Sequence, residues 1–176
     1  MYPYLRLAST LFSARCKPRL SMWDTTDMKL RVWPTDLDPY LELNNGRYLT
    51  LMEMGRWELA ERCGLIKQVK KHKWGFVVGG ASIRYRRRLT AFQAFTLTTQ
   101  LVAMDERWFY FDQRVYRNEQ QYTGALFRGG VLDKSGLVST EKVCELMGAE
   151  WRPGLPNWVK SWTESDDMRA WDRPQI

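Results

Sequence analysis

The chain is 176 residues long, carries a net charge of +7, and draws 44% of its residues from aliphatic, aromatic and sulfur-bearing types. That length suits one domain, and that apolar share excludes wholesale disorder. Three widely spaced cysteines, Cys16, Cys63 and Cys144, form no CxxC pair, so spacing suggests neither a disulfide framework nor a zinc site, and a reducing cytosol fits best.

Residues 1–23 are basic and free of acid, with Tyr4, Leu7, Ala8, Leu11 and Phe12 at helical spacing. Arg6 interrupts what a secretion signal would need as its apolar core, and no run approaches bilayer-spanning length. A helix packed on the domain, an interfacial membrane helix over residues 2–14, and a transit peptide all stay open for this segment.

Met28 to Trp33 alternate in polarity and stop at Pro34, which predicts a strand. A polar turn follows from Thr35 to Leu43. Asn44 and Asn45 then stand where a helix N-cap is needed, and the pattern from Gly46 to about Cys63 is helical. Tyr48, Leu51, Met52, Gly55 and Leu59 share one face, which Leu49, Met54 and Trp57 widen, and Gly64 is the natural stop. So much apolar surface demands a large partner.

Sheet patterning takes over at Trp74. A strand runs to Val78, bends at Gly79 and Gly80, and resumes through Ile83 and Tyr85 to Leu89. Phe92 to Met104 alternates cleanly, Asp105 and Glu106 turn the chain, Arg107 to Arg117 returns, and Gln121 to Leu132 completes a meander. A short helix is expected from Ser139 to Met147. The Trp- and Pro-rich tail to Ile176 is expected to lie across the surface.

The layout is strand, long buried helix, then about four antiparallel strands. This predicts an α+β fold in which a curled antiparallel sheet wraps one long central helix. It divides into a basic N-terminal segment (1–26), the sheet-and-helix domain (27–138), and a C-terminal helix with tail (139–176). An exposed sheet edge invites a twofold partner and a continuous sheet across a homodimer. Pairing of dimers into a tetramer is left open.

Between Glu61 and Asp105 there is no acidic residue, while Lys67, Lys70, Lys71, Lys73, Arg84, Arg86, Arg87 and Arg88 all fall there. Such a segment attracts anions: nucleic acid, an acidic membrane surface or a phosphorylated small molecule. An ordinary solvated basic face is the alternative.

The segment from Trp33 to Arg56, WPTDLDPYLELNNGRYLTLMEMGR, carries the chemistry. It sets two carboxylates, Asp36 and Asp38, on a turn before a helix N-terminus. Hydrolysis of a thioester needs a nucleophile or base and something to hold the developing oxyanion. Backbone N–H groups of Asn45, Gly46 and Arg47 would serve the second need, and a nearby carboxylate the first. The alternative is that Asp36, Asp38 and Asn44 only hold the turn and cap the helix.

This segment resembles the 4-hydroxybenzoyl-CoA thioesterase superfamily of hotdog proteins, whose turn reads D-x-D-x-x-G-H-x-N-N-x-x-Y before the helix. Asp36, Asp38, Asn44, Asn45 and Tyr48 fall on matching positions, and Arg56 on the arginine one helix-length later. VVGGASIRYRRRLTAFQAF, RWFYFDQRVY and a late LPNWV look like the thioesterase-superfamily-member-six-like branch. The resemblance implies an acyl-CoA or related thioester substrate, with coenzyme A entering only as part of it and no separate cofactor. Asp38 is then the attacking or water-activating carboxylate, with Asn45 and Gly46 beside it. Asp36, Asn44 and Tyr48 contact substrate, and Arg84, Arg86 and Arg88, alternating on one strand face, meet the phosphates. Many relatives have Gly-His where this chain has Leu41 and Glu42, so Glu42 enters as an alternative base.

The sole histidine, His72, lies among the lysines and is expected on an exposed loop. It offers neither a triad nor the His–acid pair of hotdog dehydratases, and no metal site. Cys63 is expected as a small core residue. No nucleic-acid module matches. A non-catalytic hotdog that binds acyl chains or lipids is the second reading. The expected location is cytoplasmic, with attachment to a membrane surface through residues 2–14 as the open alternative.

Overall fold

The computed structural model describes residues 3–169. Tyr2, expected at the start of the N-terminal helix, and tail residues 170–176 lie outside them. The elements in chain order are α1 (Tyr4–Cys16), β1 (Thr26–Arg31), a 3-10 turn (Pro34–Asp36), α2 (Asn45–Arg62), α3 (Leu65–His72), β2 (Gly75–Tyr85), β3 (Ala94–Met104), β4 (Phe109–Arg117), β5 (Gln120–Asp133), β6 (Gly136–Val138), α4 (Thr140–Met147) and α5 (Asn157–Asp167).

All strand pairs are antiparallel, in the order β1-β3-β4-β5-β2, with β6 added to β5. The sheet curls around α2, as expected of the hotdog arrangement. Phe95, Leu97, Thr99 and Leu101 of β3 point inward and are buried; Phe95 and Leu97 share a core with Tyr48, Leu51, Met52 and Met54 of α2, and Thr99 lies against Gly55. Gly55 is required there. A Cβ would collide with Thr99 Oγ1 and stand 2.9 Å from Gln113 Nε2. Only glycine allows helix and sheet to approach this closely.

Four features differ from the sequence expectation. Beyond Gly64, which turns at φ +88°, the chain forms α3. Lys67, Lys70 and Lys71 therefore stand on a helix, and Ile66 is its buried residue. His72 is not on an exposed loop: it closes α3 half-buried, its ring stacked on Trp74 at 4.8 Å. β2 ends at Tyr85 rather than Leu89 because Arg86 and Arg87 turn their N–H groups to Tyr122 O. The tail is partly helical: α5 packs Val159 and Trp162 against Tyr110 and Leu126 on the outer face of the sheet. There Arg128 lies over the rings of Trp108 and Trp162 and pairs with Asp166 at 2.9 Å.

The N-terminal segment is a helix docked on the domain. Ala14 is buried and Leu7 packs on the core. Three ion pairs pin its length: Arg6–Asp36 at 2.7 Å, Arg15–Glu61 at 3.0 Å, and Lys17–Glu58 just beyond its end at 2.6 Å. Its outward face is apolar, with Leu5 89% and Phe12 71% exposed.

The two sheet edges differ in chemistry. β1 turns Asp27, Lys29 and Arg31 to solvent, and charge of this kind discourages pairing. β2 leaves Phe76, Val78 and Tyr85 exposed, an edge suited to a partner strand.

Candidate active site

The acidic turn is cross-braced. Asp38 N–H donates to Glu42 O at 2.9 Å, and Asp38 Oδ1 accepts from the N–H groups of Tyr40 (2.9 Å) and Glu42 (3.3 Å). Leu37 and Leu43 bridge the base of the loop. Leu41, at its tip, has φ +60°, a region that favours glycine because a side chain there crowds the carbonyl. Glu42 Oε1 lies 2.8 Å from Arg88 Nη1.

Asp36 is 2% exposed. Its Oδ2 receives Arg6 Nη1 at 2.7 Å and the Trp33 N–H at 3.0 Å, and its Oδ1 lies 3.2 Å from Arg47 Nε. Two arginines and a backbone amide thus occupy this carboxylate. It fastens α1 and α2 to the turn.

At the α2 amide end Asn44 is the cap. Asn44 Oδ1 accepts from Gly46 N–H (2.9 Å) and Arg47 N–H (3.3 Å), so the side-chain cap takes two of the three amides expected to be open. Tyr85 Oη reaches Asn45 O at 3.4 Å, and its ring meets Tyr48 edge-on at 5.3 Å. Tyr48 itself is buried in the core, and burial raises its phenol above the ordinary value. Arg84 stands exposed on β2, whereas Arg86 and Arg88 lie beyond its end, so the three do not alternate along one strand face.

A cavity of about 310 Å³ opens between the C-terminal half of α2, α3 and the strands β2, β4 and β5. Leu59, Leu65, Val69, Trp74, Phe109 and Val131 give it an apolar wall, and Glu53 is its one carboxylate. Glu53 Oε1 accepts from Trp57 Nε1 at 3.3 Å, and Trp57 packs edge-on against Phe76 at 5.1 Å. Beside it, Arg56 donates to Gln113 Oε1 at 2.6 Å and lies 4.0 Å over the Phe127 ring. Cys63 also lines the cavity; burial raises its thiol above the ordinary value, which keeps it protonated and unreactive. Space for roughly ten water-sized groups suits an extended apolar chain. Asp38, Asn45, Gly46 and Glu42 do not line this cavity. Sequence reasoning passed over Glu53 and Tyr85. The only available signal for Glu53 was an acid among the apolar positions of a buried helix.

Comparison with known proteins places this geometry. A model of the thioesterase-like superfamily matches residues 32–163. Protein THEM6 of Xenopus laevis is 28% identical over 79% of this chain and 70% of its own length. The long-chain acyl-CoA thioesterase FadM of Escherichia coli is 36% identical over 43% of this chain and 56% of its own. Among solved structures, YbaW of Escherichia coli, described as a probable thioesterase, superposes with a TM-score of 0.63 at 27% identity, covering 68% of this chain and 93% of that one. Fold, central helix and acidic turn together make this chain a member of the thioesterase-like superfamily, in its THEM6-like branch.

Proposed function

We propose that the protein hydrolyses acyl-CoA or a related thioester, holding the acyl chain in the cavity beside α2. The observation that carries this reading is an apolar cavity of acyl dimensions with a carboxylate in its wall. FadM, an acyl-CoA thioesterase, shares sequence with part of this chain. Coenzyme A phosphates meet the exposed arginines that follow the middle of β2, Arg84 first.

The working unit is a homodimer joined through the β2 edges. With an antiparallel pairing centred on Gly80, Phe76 of one copy lies opposite Arg84 of the other. The cavity mouth of each copy then faces the Tyr85–Asn45 corner, and so the α2 amide end, of its partner. Turnover of a panel of acyl-CoAs, followed by thiol release, tests the reading. An Ala60→Phe variant, which narrows the cavity, is expected to shift preference toward shorter chains by tenfold or more. A wild type that releases no thiol from any member would defeat the reading.

A second reading is acyl binding without turnover. It draws on the engagement of Asp36, Asp38 and Glu42 in holding the turn. Tight binding of acyl-CoA with no thiol release would select it. The apolar outward face of the acid-free α1 supports a membrane-surface role for the N-terminal segment. Flotation with anionic vesicles, lost in Leu5→Glu/Phe12→Glu, is the check.

A further inference from the structure

We propose that Cys144, Met22 and Met104 form a binding site for one monovalent soft metal ion, copper(I), in the core beside the cavity. The inference is independent of the thioesterase reading. Three separate parts of the chain supply the sulfurs: Met22 from the loop between α1 and β1, Met104 from the end of β3, and Cys144 from α4. Cys144 Sγ lies 3.9 Å from Met22 Sδ and 3.8 Å from Met104 Sδ. All three residues are buried.

The spacing suits a shared ion. Metal–sulfur bonds of about 2.3 Å, three in one plane, set the sulfurs about 4 Å apart. The Cys144 thiol has a single hydrogen for two sulfur neighbours and serves one of them at a time, whereas an ion engages both. Thiolate and thioether are the donors that select copper(I), and charge makes the same choice. One thiolate and one monovalent ion sum to zero, so the filled site is neutral among Leu101, Phe109, Val138 and Val143. A divalent ion would leave a net positive charge among these side chains, which is costly to bury. Among the described residues no three His, Cys, Asp or Glu side chains come together, so ions that favour nitrogen or oxygen have no ligand set here. The sulfur set emerges only when thioethers are counted with thiols.

Met22 and Leu101 also line the cavity, which gives an ion a route from solvent to the sulfurs. Burial raises the Cys144 thiol above its ordinary value, so its proton stays in place until the metal displaces it. On binding, the S–H bond of Cys144 breaks, the sulfur electron pair bonds to copper(I), and the proton passes to solvent. The two thioethers donate lone pairs and lose nothing. No electron is transferred, and copper stays monovalent.

The test uses the full chain, reduced and free of metal, with Cys16→Ser and Cys63→Ser in every sample so that Cys144 is the one thiol. Copper(I) is presented without oxygen as its coloured bathocuproine chelate, and loss of colour reads the transfer. The chain is expected to withdraw one equivalent. Met22→Leu and Met104→Leu keep side-chain volume, and each is expected to weaken binding by about tenfold, the pair together by about a hundredfold. Melting temperature is expected to rise with one equivalent of copper(I) in the parent and to stay unchanged in the double methionine variant. No withdrawal by the parent means core packing alone and overturns the site. Equal withdrawal by the double methionine variant means a thiol acting without the thioethers and overturns it as well. Should the substituted chains fail to fold, wild-type crystals soaked in silver(I), a monovalent soft ion, decide. An anomalous peak among Cys144, Met22 and Met104 supports the site, and a peak elsewhere, or none, overturns it.

Discussion

Gly55 of α2 lies against Gln113 of β4 so closely that a Cβ at Gly55 would stand 2.9 Å from Gln113 Nε2. Gln113 is fully buried, and its amide donates to Met52 O at 2.8 Å and to Thr99 Oγ1 at 2.7 Å, while its oxygen accepts from Arg56. The helix thus approaches the sheet through a hydrogen-bonded polar patch, not through apolar packing alone. A single methyl group at position 55 has to disturb all of these bonds. Gly55→Ala is expected to destabilise the fold by about 2–4 kcal/mol, from overpacking together with lost buried hydrogen bonds. Urea denaturation measures it, and an unchanged midpoint would contradict the packing described.

Leu41 offers the opposite sign. Its side chain is 70% exposed and its backbone is left-handed. Relief of that conformation gains about 1–2 kcal/mol, and the greater freedom of glycine in the unfolded chain returns about 0.5–1. Leu41→Gly is therefore expected to raise stability by roughly 0.5–1 kcal/mol, visible as a higher urea midpoint.

Alkaline pH acts through Tyr110. Burial, reinforced by the bond its hydroxyl donates to Asp105 Oδ2 at 2.6 Å, pushes the phenol up to about 12. The folded state therefore holds this proton more tightly than the unfolded chain. Its contribution is complete below pH about 10 and is lost as pH rises toward 12. Melting temperature is expected to fall more steeply above pH about 10 in the wild type than in Tyr110→Phe. Equal slopes would show that another group governs alkaline unfolding.

The dimer proposal has its own test at Ala81, exposed next to the midpoint of the β2 edge. Ala81→Lys sets like charges close together across the proposed twofold, an arrangement that natural edge strands use to prevent pairing. Sedimentation velocity is expected to show a dimer in the wild type and a monomer in the variant, with melting of the monomer largely preserved.

Much of the architecture was readable because one face of each long element is buried. The alternation through Phe95, Leu97, Thr99 and Leu101 and the helical face from Tyr48 to Leu59 both record that burial directly. Asn44 and Ser139 act as the caps their types suggest. α3 was hidden because its lysines read as a charge run, although Leu65, Ile66 and Val69 face inward. α5 owes its place to Trp108, Tyr110 and Arg128, which are distant in sequence. At the site, Asp36 was visible as an acid, but its partner Arg6 is thirty residues away, and no local pattern encodes such a pairing. The cavity draws on several separated segments, so Glu53 acquires meaning only once the chain has folded.

The order of the strands bears on how the chain is made. α2 is synthesised before β3, β4 and β5, which will cover it, and β1 must wait for β3 before it has a strand partner. For that interval a helix rich in Met and Leu stands bare in the nascent chain. Slow synthesis or heat during this window would favour aggregation even for a sequence whose finished form is robust, so chaperone demand should track translation rate more closely than final stability.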